Sequence, residues 1–143
     1  MSSTETVKAI VKRYRQEIMN EGKLNVVDEI FPEKFALNGQ EMPSEGFKPF
    51  AAMWRSAFPD LVYTHDHLIA EGEWVVEHWT GRGTHRGSLM GIPPTGKYMQ
   101  VMGINIHRVV NGKIVEIWEV ADTLGGFQQL GILPSWDKLT AQG

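Results

Sequence analysis

The dipeptide Asn111-Gly112 constrains the fold of this chain more than any other feature. Both residues tolerate positive φ, so they close a two-residue hairpin between segments of alternating character. The flanking segments are residues 97–110 and 113–122, and counting back from the turn sets a register. Val110 faces Lys113, Val109 faces Ile114, His107 faces Glu116, Asn105 faces Trp118, Gly103 faces Val120 and Val101 faces Asp122. Paired residues share a face of a sheet, as do alternate residues along a strand. One face is therefore expected to carry Asn105, His107, Glu116, Trp118 and Asp122, with Gly103 leaving space among them. A packed core would be drier, and a solvent face would not carry a tryptophan. An aromatic wall with a few converging polar groups is what a small-molecule pocket requires. The other face, with Met102, Ile104, Ile106, Val115 and Ile117, is apolar enough for a buried layer or a subunit contact.

Upstream the apolar residues follow a helical period. Ser2-x-x-Glu5 fits a capping box, and Val7, Ile10, Val11, Tyr14 and Ile18 form a stripe that stops at Asn20-Glu21-Gly22. A shorter helix carries Leu24, Val27, Ile30 and Phe31 and closes at Pro32. A third starts near Ser44, carries Phe47, Phe50, Ala51, Trp54 and Phe58, and ends at Pro59-Asp60. Residues 61–70 and 73–82 then read as strands joined at Glu71-Gly72, and residues 91–96, with two prolines, as a loop. Helices first and antiparallel strands after describe an α+β layer structure with the helices covering one face of the sheet.

A chain of 143 residues makes one domain, spanning residues 1–143, with a single core and room for one enclosed pocket. A net charge of −3 and the lack of a basic stripe give no reason to expect nucleic acid or an anionic membrane as partner. The sequence contains no cysteine, which excludes disulfides, thiolate metal ligands and a cysteine nucleophile. No apolar run approaches the roughly 18 residues of a membrane span, and the N-terminal residues do not read as a signal peptide, so a cytoplasmic location is expected. No phosphate-binding loop, dinucleotide fingerprint or nucleophile elbow is present.

The segments "GTHRGSLMGIPPTGK", "INIHRVVNGKIVEIWEVAD" and "LGGFQQLG", with "FPDL" and "LIAEGEWVVEHWTGRGTH" upstream, resemble the SnoaL-like polyketide cyclase family over roughly residues 7–133. The resemblance implies a nuclear-transport-factor-2-like cone, a curved sheet wrapped by helices around a deep pocket. It implies a cofactor-free intramolecular aldol condensation of a carbonyl compound, or a related isomerase or lyase reaction. It places the acid–base aspartate at Asp122 and a pocket histidine at His107. It also implies a homodimer paired through the sheet's outer side, whose apolar residues fit such a contact. The chain departs from the family at Gly126-Phe127, where relatives carry two bulky apolar residues, so a looser lid is expected there.

An aspartate at its reference pKa of about 3.9 is a weak base toward carbon, and apolar neighbours such as Trp118 and Val120 would raise it. Asn105 and His107 would donate hydrogen bonds to an enolate oxygen. Asp122 as a cap for the following turn, and His107 paired with Glu116 across the strands, are the structural alternatives. His85 reads as a mouth or surface residue, Tyr14 as a core ring with its hydroxyl toward the pocket, and Trp54 and Phe58 as core or pocket wall. A two-residue turn at Glu71-Gly72 would put His65, His67 and His78 on one face, a set able to hold zinc; the resemblance implies no metal. The alternative functions are epoxide or ester hydrolysis and ligand binding without catalysis. Hydrolysis would need a second carboxylate and a charge partner, and this register puts Glu116 and Arg108 on opposite faces.

Overall fold

The computed structural model describes residues 3–141, with side chains to residue 138; Ser2 of the capping box lies outside the described residues. Helix α1 spans Ser3–Arg13 and runs directly into a π-helical segment, Tyr14–Asn20. The wider π winding puts the adjacent residues Tyr14 and Arg15 both on the buried side, with Ile18 and Met19 one turn on. Helix α2 (Val26–Ile30) closes before Pro32, as the sequence indicates, and α3 (Phe47–Ala57) follows a short 3-10 turn at Ser44–Gly46. Two short helices, α4 (Thr123–Gln129) and α5 (Trp136–Ala141), complete the chain.

Six strands form one open, mixed sheet: β1 (Lys34–Leu37), β2 (Gln40–Pro43), β3 (Val62–Glu71), β4 (Trp74–Thr84), β5 (Tyr98–Val110) and β6 (Lys113–Ala121). Their spatial order is β2-β1-β6-β5-β4-β3. Every neighbouring pair is antiparallel except β1 with β6, which is parallel. Strands β1 and β2 go beyond the expected four. They are joined at Asn38-Gly39, where φ is 50° and 84°, the same turn chemistry as Asn111-Gly112 at 50° and 76°.

The hairpin at Asn111-Gly112 starts in the expected register, with Val110 opposite Lys113 and Val109 opposite Ile114. A bulge then leaves Val115 as an extra residue, and the remaining pairs are Arg108 with Glu116, His107 with Ile117, Ile106 with Trp118, Asn105 with Glu119, Ile104 with Val120 and Gly103 with Ala121. Beside the bulge, the Val109 amide donates to Glu73 O at 2.8 Å in the turn that joins β3 to β4. Beyond it every β6 side chain changes face. Glu116 and Trp118 turn outward, Glu119 and Ile117 turn inward, and Arg108 and Glu116 share a face after all. A second bulge, between His65 and His67 on β3, corrects the histidine set as well. His67 and His78 stack on the outer face, Nδ1 to Nδ1 at 2.9 Å, while His65 turns inward. Among the described residues no group of three or more can hold a metal ion.

The helices cover the concave face. Val11, Tyr14 and Ile18 pack against Val75, Val109, Ile114 and Ile117, with Phe31, Phe35 and Phe47 closing that end. Ala57, Phe58, Leu61, Leu89, Met99 and Leu130 form a second cluster at the other end, under α4. The space between the clusters holds the site. The convex face is uncovered and apolar: Met102, Ile104, Ile106, Trp118 and Val120 are all exposed.

Candidate functional site

A cavity of about 310 Å³ opens between α3, the π-helical segment and the concave face, at the small end of the ~300–1,000 Å³ range of ligand pockets. Trp54 of α3 and Phe58 just after it, read from the sequence as core or pocket wall, line it with Tyr63, Trp79, Met99 and Phe127. Arg15 and Glu119 stand in its wall, with Arg82 and Thr123 also lining it.

Each polar group is held by a specific arrangement. The Arg15 guanidinium lies 4.7–5.0 Å from the ring centroids of Tyr14, Tyr63 and Trp79. Its Nε and Nη2 donate to Glu77 Oε2 and Oε1 at 2.7 and 2.9 Å. The same carboxylate bonds His65 Nε2 at 2.6 Å and His107 Nε2 at 2.8 Å. Burial alone would raise the Glu77 carboxyl, but the Arg15 charge and the hydrogen bonds from Arg15, His107 and His65 outweigh it and hold the group well below the usual carboxylate range. An ionised carboxylate only accepts, so both histidines present Nε2–H to it. This leaves His107 Nδ1 with no hydrogen-bond partner among the described residues.

Glu77, Asn105 and Glu119 form one row across β4, β5 and β6 on the concave face. Asn105 accepts from Trp79 Nε1 at 2.9 Å and keeps a buried Nδ2 without a partner. Gly103 is what admits that tryptophan. A Cβ there would sit 2.1 Å from the indole, so the space the glycine leaves is filled by Trp79 rather than by a ligand. The Asn38 side chain accepts from the Glu119 amide at 2.8 Å and so ties β6 to the β1–β2 turn beside the site. Glu119 is half-buried. Desolvation raises its carboxyl against the opposing pull of Arg15 and His107, and Glu77 adds to the rise.

The other expected site residues sit elsewhere. Asp122 is exposed at the N-terminus of α4, where its Oδ1 accepts from the Gly125 amide at 3.0 Å. Trp118, 44% exposed on the convex face, donates Nε1 to Glu116 at 2.6 Å. Tyr14 is a core ring, edge-on to Phe31, Phe47 and His107. His85 is fully buried behind Phe58, stacked at 5.4 Å, with Nδ1 bonded to Thr95. At Gly126 a Cβ would come within 2.7 Å of Val101 and 3.0 Å of Met99, so the glycine lets α4 pack directly on β5 over the cavity. Arg15, Glu77 and Glu119 were missed. The first two are joined across 62 residues and leave no local pattern, and the third was assigned to the wrong face by the bulge.

The family model described as SnoaL-like polyketide cyclase matches residues 9–130. Aklanonic acid methyl ester cyclase of Streptomyces peucetius is 30% identical over 122 residues, covering 80% of this chain and 84% of that protein. Nogalonic acid methyl ester cyclase of Streptomyces nogalater is 33% identical over 90 residues, covering 60% and 67%. The solved structure of TsrD from Streptomyces laurentii superposes with a TM-score of 0.83 at 27% identity, covering 93% of this chain and all of that one (100%).

Proposed function

Because the chain belongs to the SnoaL-like polyketide cyclase family, with its nuclear-transport-factor-2-like α+β fold, we propose that it closes a ring in a polyketide-like carbonyl compound by intramolecular aldol condensation, with Glu119 as the acid–base group. The observation that carries this reading is the position of Glu119, a carboxylate on the cavity wall whose basicity is raised by desolvation. A base tuned upward from the ordinary carboxylate range is better matched to a proton on carbon next to a carbonyl.

In this scheme Glu119 takes that proton and the electron pair moves onto the carbonyl oxygen as an enolate. The Arg15 guanidinium, on the same cavity wall as Glu119, stabilises the developing negative charge. The enolate carbon then attacks the second carbonyl of the same molecule. The new alkoxide takes the proton back from Glu119, so atoms and charge balance without a cofactor. His107 acts as a positioning residue, completing with His65 the set of bonds that holds Glu77, and through it Arg15, in place. Asn105, paired with Glu119 across β5 and β6, keeps its Nδ2 without a protein partner and available to a substrate oxygen. Asp122 keeps its capping role.

Aklanonic acid methyl ester, named for one relative, is the first substrate to assay. Glu119→Gln should lose roughly 100-fold or more in turnover, and Asp122→Asn should stay within about threefold of the unmutated chain. Full activity in Glu119→Gln with loss in Asp122→Asn would return the acid–base role to the aspartate.

One observation favours a second reading. Arg15 acts on both Glu77 and Glu119, the carboxylate–arginine–carboxylate arrangement that water activation in an epoxide or ester hydrolase needs. Product formed in oxygen-labelled water separates the two: hydrolysis puts the label into the product, and aldol closure leaves it unlabelled.

A further inference from the structure

Glu119 stands on the walls of two cavities. Beyond the main one, a side chamber of about 130 Å³ reaches the same carboxylate from the β1–β2 side. Phe50 is also common to both walls, its ring 6.4 Å from Trp54 on the main side and 6.2 Å from Phe47 on the chamber side. Apart from Glu119, the side chains around the chamber are all hydrocarbon or thioether, with Phe35 and Leu37 inside and Met42 and Pro43 at the outer edge.

We infer that this chamber is a subsite for a short alkyl arm borne by the substrate carbon that Glu119 deprotonates. The inference rests on the reading of Glu119 as the base. A carbon placed against Glu119 has one substituent toward each cavity: the unsaturated body lies among Trp54, Phe58 and Trp79, and the remaining substituent passes Phe50. The chamber is slightly smaller than the ~150 Å³ that accommodates benzene, which limits the arm to about four to six carbons. A hydroxyl or amine on the arm would find no hydrogen-bonding side chain there except the Glu119 carboxylate, which favours a hydrocarbon arm. Gly46 lines the chamber without a side chain. Its φ of −61° is open to any residue, and a Cβ there would meet nothing within 4 Å.

The test uses methyl naphthyl ketone and n-butyl naphthyl ketone, which share the flat body and the acidic α-carbon and differ by a propyl arm on that carbon. Binding is read from quenching of tryptophan fluorescence, and deprotonation from α-hydrogen exchange in heavy water. The unmutated chain should bind the butyl ketone about tenfold or more tightly than the methyl ketone, since each buried methylene contributes up to roughly fourfold. Gly46→Leu should abolish that preference and leave the methyl ketone within about twofold, with Gly46→Ala in between. Met42→Trp narrows the chamber from its exposed edge and should act like Gly46→Leu, which covers failure of the leucine variant to fold. No preference for the arm in the unmutated chain, or a preference that survives both large variants, overturns the subsite while the methyl ketone still binds and exchanges. Binding without α-exchange, or no binding by either ketone, overturns the reading of Glu119 and the subsite together.

Discussion

Arg15 and Glu77 are joined by two hydrogen bonds of 2.7 and 2.9 Å across 62 residues of chain, with side chains no more than 3% exposed. The pair ties the π-helical segment to β4 and is surrounded by three aromatic rings. Removing one partner of such a pair leaves the other charge buried and unpaired. Glu77→Ala should therefore cost about 3–5 kcal/mol of stability, read from chemical denaturation. A loss under about 1 kcal/mol would show that Arg15 finds water or another anion, and that the pair does not organise the site.

Glu77 and Glu119 respond to pH with opposite signs. The folded pKa of Glu77 is depressed, so its contribution is present above the unfolded value of about 4.3 and is lost as pH falls through the lower folded value. Glu119 is raised, so its contribution is present below about 4.3 and is lost as pH rises through the folded value. Glu119→Gln should consequently melt higher than the unmutated chain at neutral pH, and the gain should disappear below about pH 4. A gain that is the same at both pH values would come from packing rather than from the carboxylate.

Asp122 accepts from the Gly125 amide. Asp122→Ala should lower stability by about 1 kcal/mol through the lost cap. Because α4 carries Gly126 and Phe127 onto the cavity wall, KM is expected to rise by a few-fold while kcat changes little. A collapse of kcat with unchanged stability would contradict the capping role.

On the convex face Ile104, 43% exposed, lies between His78 and Val120 on neighbouring strands, in a patch with Met102, Ile106 and Trp118. A homodimer through this face is expected, and sedimentation should find it at micromolar concentration. Ile104→Glu should give a monomer with unchanged far-ultraviolet circular dichroism. An unmutated chain that sediments as a monomer would remove the convex face as an interface.

The helix stripes, the Asn111-Gly112 turn and the change of period after Pro59 were legible locally because each depends on neighbours in the chain. Asn38-Gly39 was legible by the same rule and marks the hairpin that was overlooked. Helical spacing put Trp54 and Phe58 on the buried stripe and left core or pocket wall open. Asn105 and His107 belong to the concave face in either register, because β5 runs straight through the pairing. Which carboxylate stands on the cavity wall was of a different kind. One extra residue at Val115, beside a hydrogen bond from Val109 to Glu73 in the turn before β4, exchanges the two faces of β6. The sequence by itself determined the elements, their order and the inward set on β5. The tertiary structure decided which β6 carboxylate reaches the cavity, because a bulge is stabilised by contacts outside its hairpin and side chains alternate with a period of two.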